Sequence, residues 1–400
     1  MTDTSIRHVE ALSGPPPVRP WRNPAYRRIG YQILVLAVLA LGTGLMAMNV
    51  VANLCERNKT LGFGFLNQVA GFDISQTLIA YSNTSTYGRA FVVGLLNTVL
   101  VAVLGIVLAT VLGVLIGIAR LSGNWLVRQL ATAYVEVVRN LPLLLQLFFW
   151  YFGILQTLPD IKRSITLAGG TFLNVRGLYL PKPIADKGFG LVVVALVAAC
   201  AATTALRIWA IDRQRETGQT FPVRWTGLGQ ILGLPLLAFL ILRCPLHFEH
   251  PELDGMNFEG GMVLLPEFMA LLAGLVFYTA AYIAEVVRSG IAAVPAGQTE
   301  AARALGLSRP QVLRLVVIPQ AMRIVIPPLT NQYLNLTKNS SLGVAIGYPD
   351  LVSVFAGTVL NQTGQAVEVV IITMAVYLTL SLATSALMNW FNTRMKLVER

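Results

Sequence analysis

Residues 300–319 read EAARALGLSRPQVLRLVVIP. Two short helical runs meet at Gly306-Leu307-Ser308, the outline of a DNA-reading helix-turn-helix. The surroundings decide between that reading and a membrane role. The 400-residue chain is 55% hydrophobic and 12% charged. Soluble domains carry about 25% charged residues. The low charge therefore points to a membrane protein and away from a nucleic-acid binder, despite a net charge of +11. A DNA reader also needs a third helix and its own core, and a loop tied at both ends to apolar spans provides neither.

Charge-free stretches locate the spans: Tyr31–Val51, Ala90–Ala119, Asn140–Pro159, Gly188–Leu206, Trp225–Leu242, Phe268–Ala284 and Val369–Thr393. About 20 apolar residues cross a bilayer as a helix. So many long apolar runs would leave a soluble protein little polar surface. An eighth, broken span is predicted over Ile324–Thr337 and Ser341–Tyr348, interrupted by Pro327, Pro328 and Lys338. Interrupted backbone at membrane depth is tolerated where it lines a cavity or packs inside protein. The expected class is an all-α membrane protein of about eight transmembrane helices.

With a cytoplasmic N-terminus, 20 of the 30 Lys and Arg residues fall on inner segments. Glu249, Glu252, Asp254 and Glu259 crowd one outer loop. The positive-inside rule thus favours both termini in the cytoplasm. Thirty polar, proline-rich residues precede the first apolar run, so that run is read as a retained anchor, not a cleaved signal.

The expected organisation is a cytoplasmic tail (1–30), an N-terminal span (31–51), an outer loop (52–89), a first core part (90–157), a two-span insertion (158–262), a second core part (263–391) that includes the inner loop 289–323, and a cytoplasmic C-terminus (392–400). In the outer loop, GFGFLNQVAGF (62–72) is apolar enough to lie on a membrane surface. Gly113 and Gly117 form a small-xxx-small face suited to close helix approach. Cys55, Cys200 and Cys244 lie far apart, without zinc or disulfide spacing. His247 and His250 are read as polar loop residues, since no further ligands accompany them.

The local signals of 295–319 build a compact knob. Pro295 suits the first position of a helix, and Glu300 suits its positive end. Gly306 can close that helix in the left-handed conformation. Ser308 and Gln311 have capping-box spacing, and Pro319 marks the second helix's end. Ala301, Ala302 and Leu305 offer a small-residue docking face.

Glu300-Ala301-Ala302, Gly306 and the closing Val316-Val317-Ile318-Pro319 resemble the EAA loop of permease subunits of bacterial ABC importers. YVEVVRNLPLLLQLFFWYF (134–152), AYIAEVVRSGIAAVPAGQTEAARALGL (281–307) and LTKNSSLGVAIGYPDL (336–351) resemble that family's polar amino-acid (histidine/glutamine/glutamate) branch. Span 1 and the 158–262 insertion depart from its short members, and the long chain resembles the general L-amino-acid permease subunits. The resemblance implies a type I five-helix core at 90–157 and 262–391, in a bacterial inner membrane. It implies that Glu300, Ala301, Ala302, Gly306 and Pro319 seat in a separate ABC ATPase subunit. It further implies a second, related permease subunit, an extracytoplasmic binding protein and L-amino acid substrates.

The chain carries no GxxxxGK[ST] phosphate loop. No cofactor is expected on it, and ATP–Mg belongs to the partner ATPase. A gradient-driven secondary transporter is the rival reading. Such folds show inverted repeats and buried acidic residues along an ion path, and neither is evident here. Lys338, Asn339 and Ser340 sit between two apolar half-segments. One expectation is that they face the pathway and attract a substrate carboxylate. The other is that Lys338 snorkels to the outer interface or pairs with Asp350.

Overall fold

The computed structural model describes residues 24–56, 62–255 and 257–395. It divides into two units, up to Gly64 and from Phe65 onward. Among its described residues, the first contains the long helix α1 (Pro24–Glu56), whose window Arg27–Met46 is long and apolar enough to cross a membrane.

Part of the apolar stretch at 62–72 packs inward in the second unit, while Phe63, just before that unit, and Val69 stay exposed. Phe65 and Ala70 are 4% and 3% exposed and pack in a cluster with Tyr87, Leu351 and Phe355. α2 (Tyr87–Ala119) starts where the Thr86 side chain accepts from the Arg89 amide. It runs along the later helix Pro266–Ala292, and glycines set the distance between them. A Cβ at Gly113 would sit 2.6 Å from Ile283 Cβ, and one at Gly117 would sit 2.8 Å from the Ala284 carbonyl. The small-xxx-small face is therefore a helix contact inside the chain.

α3 (Trp125–Asn140) was not foreseen, because Arg128, Glu136 and Arg139 interrupt its apolar residues. The span expected at Asn140–Pro159 is the second arm of a bent pair. α4 (Leu143–Phe148) continues through a π turn (Phe149–Ile154) to Thr157, at 107° to α3. The bend falls at Leu141, whose backbone is extended (φ −98°, ψ 130°). Pro142 excludes the helical conformation from the residue before it.

The insertion holds the two expected helices, α5 (Phe189–Thr217) and α6 (Val223–Ile241). It also holds eight short strands that the sequence reading did not contain. β1 (Ile165–Leu167), β2 (Thr171–Asn174), β3 (Gly177–Leu180) and β4 (Lys182–Ala185) precede α5; β5 (Leu246–Glu249), β6 (Glu252–Asp254), β7 (Asn257–Glu259) and β8 (Met262–Leu264) follow α6. The antiparallel sheet β1-β2-β3-β8 and the ladder β4-β5 join the segment before the spans to the segment after them. This pairing closes the insertion at its base. Gly177, at φ +128°, lets β3 approach so closely that a Cβ would lie 2.2 Å from the Leu264 carbonyl.

α7 (Pro266–Ala292) is the central helix, with Leu271, Leu275 and Ile283 wholly buried. α8 (Ala296–Ala304) and α9 (Arg309–Val312) follow. α10 (Ile318–Asn339) is continuous, with Pro327 and Pro328 inside it, and leads into a 3₁₀ segment (Ser340–Ile346). The break expected around these prolines and Lys338 is absent; residues Arg309–Ile346 form one continuous helical run that is long and apolar enough to include a crossing. Packing against α7 and the C-terminal helix Ala366–Met395 outweighs the local cost of the prolines. The chain breaks instead at Gly347 (φ +80°), turns through a π segment (Val352–Val359) and α11 (Leu360–Thr363), and ends in α12 (Ala366–Met395).

Among the described residues, seven helices meet the length and apolarity of a crossing, and the α3–α4 pair makes eight. The chain is a mainly helical multi-pass membrane protein. Its core unites α2, α4, α7, α10 and the Ile346–Tyr348 corner.

Candidate coupling and translocation site

The loop between α7 and α10 is built by local chemistry. Pro295 sits at the N-cap, one position before the first helical residue where it was expected, and Glu300 is the fifth residue of α8, beyond the first turn and away from the positive end expected for it. Gly306 is left-handed at φ +79°. Its amide donates to the Arg303 carbonyl (2.9 Å), and the Leu307 amide donates to the Ala302 carbonyl (3.2 Å). These two bonds form a complete Schellman motif, which satisfies carbonyls left over at the end of α8. Gln311 Oε1 then accepts from both the amide (2.9 Å) and the hydroxyl (2.8 Å) of Ser308.

The second helix does not end at Pro319. α9 passes through a π turn (Leu313–Val317) into α10, with Pro319 in the first turn of the continuing helix. The wider π turn accommodates a residue that has no N–H to donate. The loop is thus continuous in backbone with the helix that follows it.

The exposed face also differs from expectation. Ala302 is only 5% exposed and Val312 only 3%, on elements that pack together. Ala302 is internal to the knob. Ala301 and Leu305, one helical turn apart, form the outward surface beside exposed Glu300; Leu305 is 83% exposed. Gln320 Nε2 donates to Gln298 Oε1 (3.3 Å), tying α10 to α8.

An ionic cluster braces the root of the loop. Glu285 accepts from Arg288 Nη2 (2.6 Å) and Nε (3.2 Å) and pairs with Arg120 at the end of α2. The sequence reading passed over these residues. Arg120 and Glu285 served as the borders of Ala90–Ala119 and Phe268–Ala284, so their charges were used to end spans and not to join them. The spacing of Glu285 and Arg288 by three was the available signal.

At the opposite end of the bundle, a buried polar network fixes the corner after α10. Asn97 Nδ2 donates to the carbonyls of Gln76 and Pro349, both at 2.9 Å. Thr98 Oγ1 accepts from the Leu351 amide (3.0 Å), and the Tyr348 hydroxyl donates to the Asn97 carbonyl (3.2 Å). Asp350 is wholly buried. It accepts from the Ser353 amide (2.9 Å), the Val352 amide (3.2 Å) and the Tyr377 hydroxyl (3.3 Å). Burial pushes its carboxyl up to about 6, against the opposing pull of these donors.

The three pathway candidates separate. Lys338 is exposed in the last turn of α10, and Asn339 is half-buried. Ser340 is wholly buried and donates to the Thr337 carbonyl (2.7 Å), so it faces the bundle and not a pathway. Among the described residues, no ion pair includes Lys338, and the pairing with Asp350 is not formed. In the insertion, His247 Nδ1 lies 2.9 Å from Asp186 Oδ1. Among the described residues, no three His, Cys, Asp or Glu side chains are grouped to hold a metal.

Known proteins share this architecture in sequence. The chain is 55% identical over 378 residues to the general L-amino acid transport system permease protein AapQ of Rhizobium johnstonii, covering 94% of each chain. It is 52% identical to the putative amino-acid ABC transporter permease protein YhdX of Escherichia coli, covering 94% of this chain and 96% of the relative. It is 40% identical to the glutamate/glutamine/aspartate/asparagine transport system permease protein BztB of Rhodobacter capsulatus, covering 98% and 100%. Residues 109–397, which contain the knob, its ionic root and Asp350 of the buried corner, match the family described as the binding-protein-dependent transport system inner membrane component, and the chain belongs to that family.

Proposed function

We propose that this chain is the membrane-spanning permease subunit of an ATP-driven importer of L-amino acids. The observation that carries the proposal is the knob at 296–312, a rigid element continuous with a membrane span and presenting Ala301 and Leu305 outward. A separate ABC ATPase subunit receives that face and carries ATP–Mg. Closure of the ATPase on nucleotide shifts α8, and the shift passes through the π turn into α10. A second, related permease subunit completes the pore, and an extracytoplasmic binding protein delivers the amino acid. The names of the relatives support amino acids as the substrate class. The experiment is co-purification with the ATPase and companion permease. Amino acid together with binding protein is expected to raise ATP hydrolysis several-fold, and hydrolysis indifferent to both would oppose the reading.

Both termini lie in the cytoplasm in this reading, and the knob faces the ATPase there. The distribution of Lys and Arg supports this orientation. Asn83 and Arg309 are exposed at opposite ends of the bundle. In intact cells, a membrane-impermeant maleimide is expected to label a cysteine at 83 and to spare one at 309. Labelling of both from outside would remove the eight-span orientation.

Lys338 is the pathway residue in this reading, with Asn339 beside it. Its ammonium is exposed on the bundle face and has no acidic partner among the described residues. Every amino acid carries a carboxylate that such a group can attract. Lys338→Met is expected to leave assembly and basal ATP hydrolysis intact and to cut uptake of every amino acid tested about tenfold or more, a charge-assisted hydrogen bond contributing about 1.5–3 kcal/mol. Wild-type uptake by the variant would assign Lys338 to the membrane interface instead.

A further inference from the structure

α3 takes no part in the coupling loop or in the buried corner at the far end. Its residues nevertheless fall into three separate sectors. Ala131 and Val135, 9% and 1% exposed, share one face; Val135 packs in a cluster with Ala281 and Ala284 of α7. Leu126, Leu130 and Val137 form a second ridge at helical spacing and are 56%, 64% and 59% exposed. Arg128, Gln129 and Glu136 lie on the remaining sector, all exposed. A helix in water would not hold that exposed apolar ridge. A helix across the bilayer would not hold Glu136 and Arg139 in its C-terminal half as well as Arg128 in its first turn.

The 107° bend resolves the conflict. The two arms are long and apolar enough for a crossing only together, as one broken span; with the more apolar arm, 143–157, directed across the bilayer, α3 is left close to the membrane plane. It lies at the end of the bundle that carries the coupling loop, because α3 follows α2 directly after Arg120, the partner of Glu285. A helix in that plane meets protein on one side, acyl chains below and water above, and its three sectors match those three surroundings. Trp125, 66% exposed at its first position, is a residue type enriched at such boundaries. Among the described residues no ion pair includes Arg128, which leaves its guanidinium free for headgroup phosphate.

We infer that α3 is a membrane-surface helix. Its Leu126–Leu130–Val137 ridge inserts into the phospholipid leaflet, Arg128 sits among the phosphates, and this seat braces α7 at the root of the coupling loop. The bracing follows from position. α3 presses on α7 at Ala281 and Ala284, next to Glu285, and α7 leads within a few residues into α8. The consequence for uptake rests on the transport reading; the seating in lipid rests only on the chain being membrane-embedded.

The test uses the full complex in vesicles of phosphatidylcholine and phosphatidylglycerol. Cys55, Cys200 and Cys244 are replaced by serine, and a nitroxide is attached to a cysteine at 130 or at 128. The label at 130 is expected to collide with oxygen and be shielded from a water-soluble nickel chelate; the label at 128 is expected to show the reverse. Equal access of nickel to both positions would overturn the seating. Shielding of position 130 from both reagents would also overturn it, because protein would then cover the ridge. In parallel, Leu126→Ser/Leu130→Ser is expected to lower uptake about tenfold with the ATPase still bound, and Leu126→Phe/Leu130→Phe to restore it. Wild-type uptake by the serine variant would overturn the bracing. Failure of the transport reading itself would show separately, as absent uptake by the unsubstituted complex.

Discussion

Replacing Gly306 with valine is expected to yield a membrane-inserted chain that no longer imports. Gly306 sits at φ +79°, and nothing lies within 4 Å of where a Cβ would project. The substitution therefore meets no steric obstacle, and its whole effect comes from the backbone. A β-branched residue is a genuine outlier at positive φ. Holding it there costs about 1–3 kcal/mol, and leaving that conformation breaks both Schellman bonds. At about 2 kcal/mol, the competent knob becomes about 30-fold rarer. Uptake and ATPase association are expected to fall together by that order. Gly306→Asn supplies the control, since asparagine tolerates the left-handed region. It is expected to keep most of the activity. Equal loss in both variants would mean that the side chain, and not the turn, is at fault.

Gly113→Leu is expected to act earlier, on folding. A Cβ there would meet Ile283 Cβ at 2.6 Å, its Cγ2 at 2.7 Å and the Ala280 carbonyl at 2.9 Å. Neither a helix backbone nor a β-branched side chain yields easily. Overpacking costs about 1–3 kcal/mol even where a core can adjust, and α2 must separate from α7 to admit four further carbons. The separation also draws Arg120 from Glu285, so the loop loses its root. Loss of most folded chain from detergent extracts is expected, together with loss of assembly. Val111→Leu on the same helix is 56% exposed at the outset and should be neutral. Normal yields of the Gly113→Leu chain would contradict the α2–α7 contact.

The knob and the spans were legible because their signals are local. Gly306, Ser308 and Gln311 act within a few residues of themselves, and charges bound the long apolar runs cleanly. Prolines misled for the complementary reason. Pro319, Pro327 and Pro328 are helix stops only when nothing else holds the helix, and here a π turn and packing against α7 and α12 hold it. α3 stayed hidden because it serves three environments, and no window of mixed apolar and charged residues resembles a span. The strands of the insertion have three or four residues each and gain their stability from β3–β8 and β4–β5 pairs about 60–85 residues apart, which no local pattern announces. Arg120's place in the Arg120–Glu285–Arg288 cluster was invisible for a simpler reason. Arg120 and Glu285 close two different spans, and only the α2–α7 approach brings them together.

The central claim is that the chain moves amino acid with energy delivered by a partner through residues 296–312. The measurement is uptake of radiolabelled amino acids into vesicles holding the complete complex. Binding protein is supplied on one face, and ATP on the face that carries the knob. The account predicts uptake that requires ATP, stops when the ATPase is inactivated and ignores an imposed proton or sodium gradient. Uptake that persists without ATP and follows the gradient would contradict it.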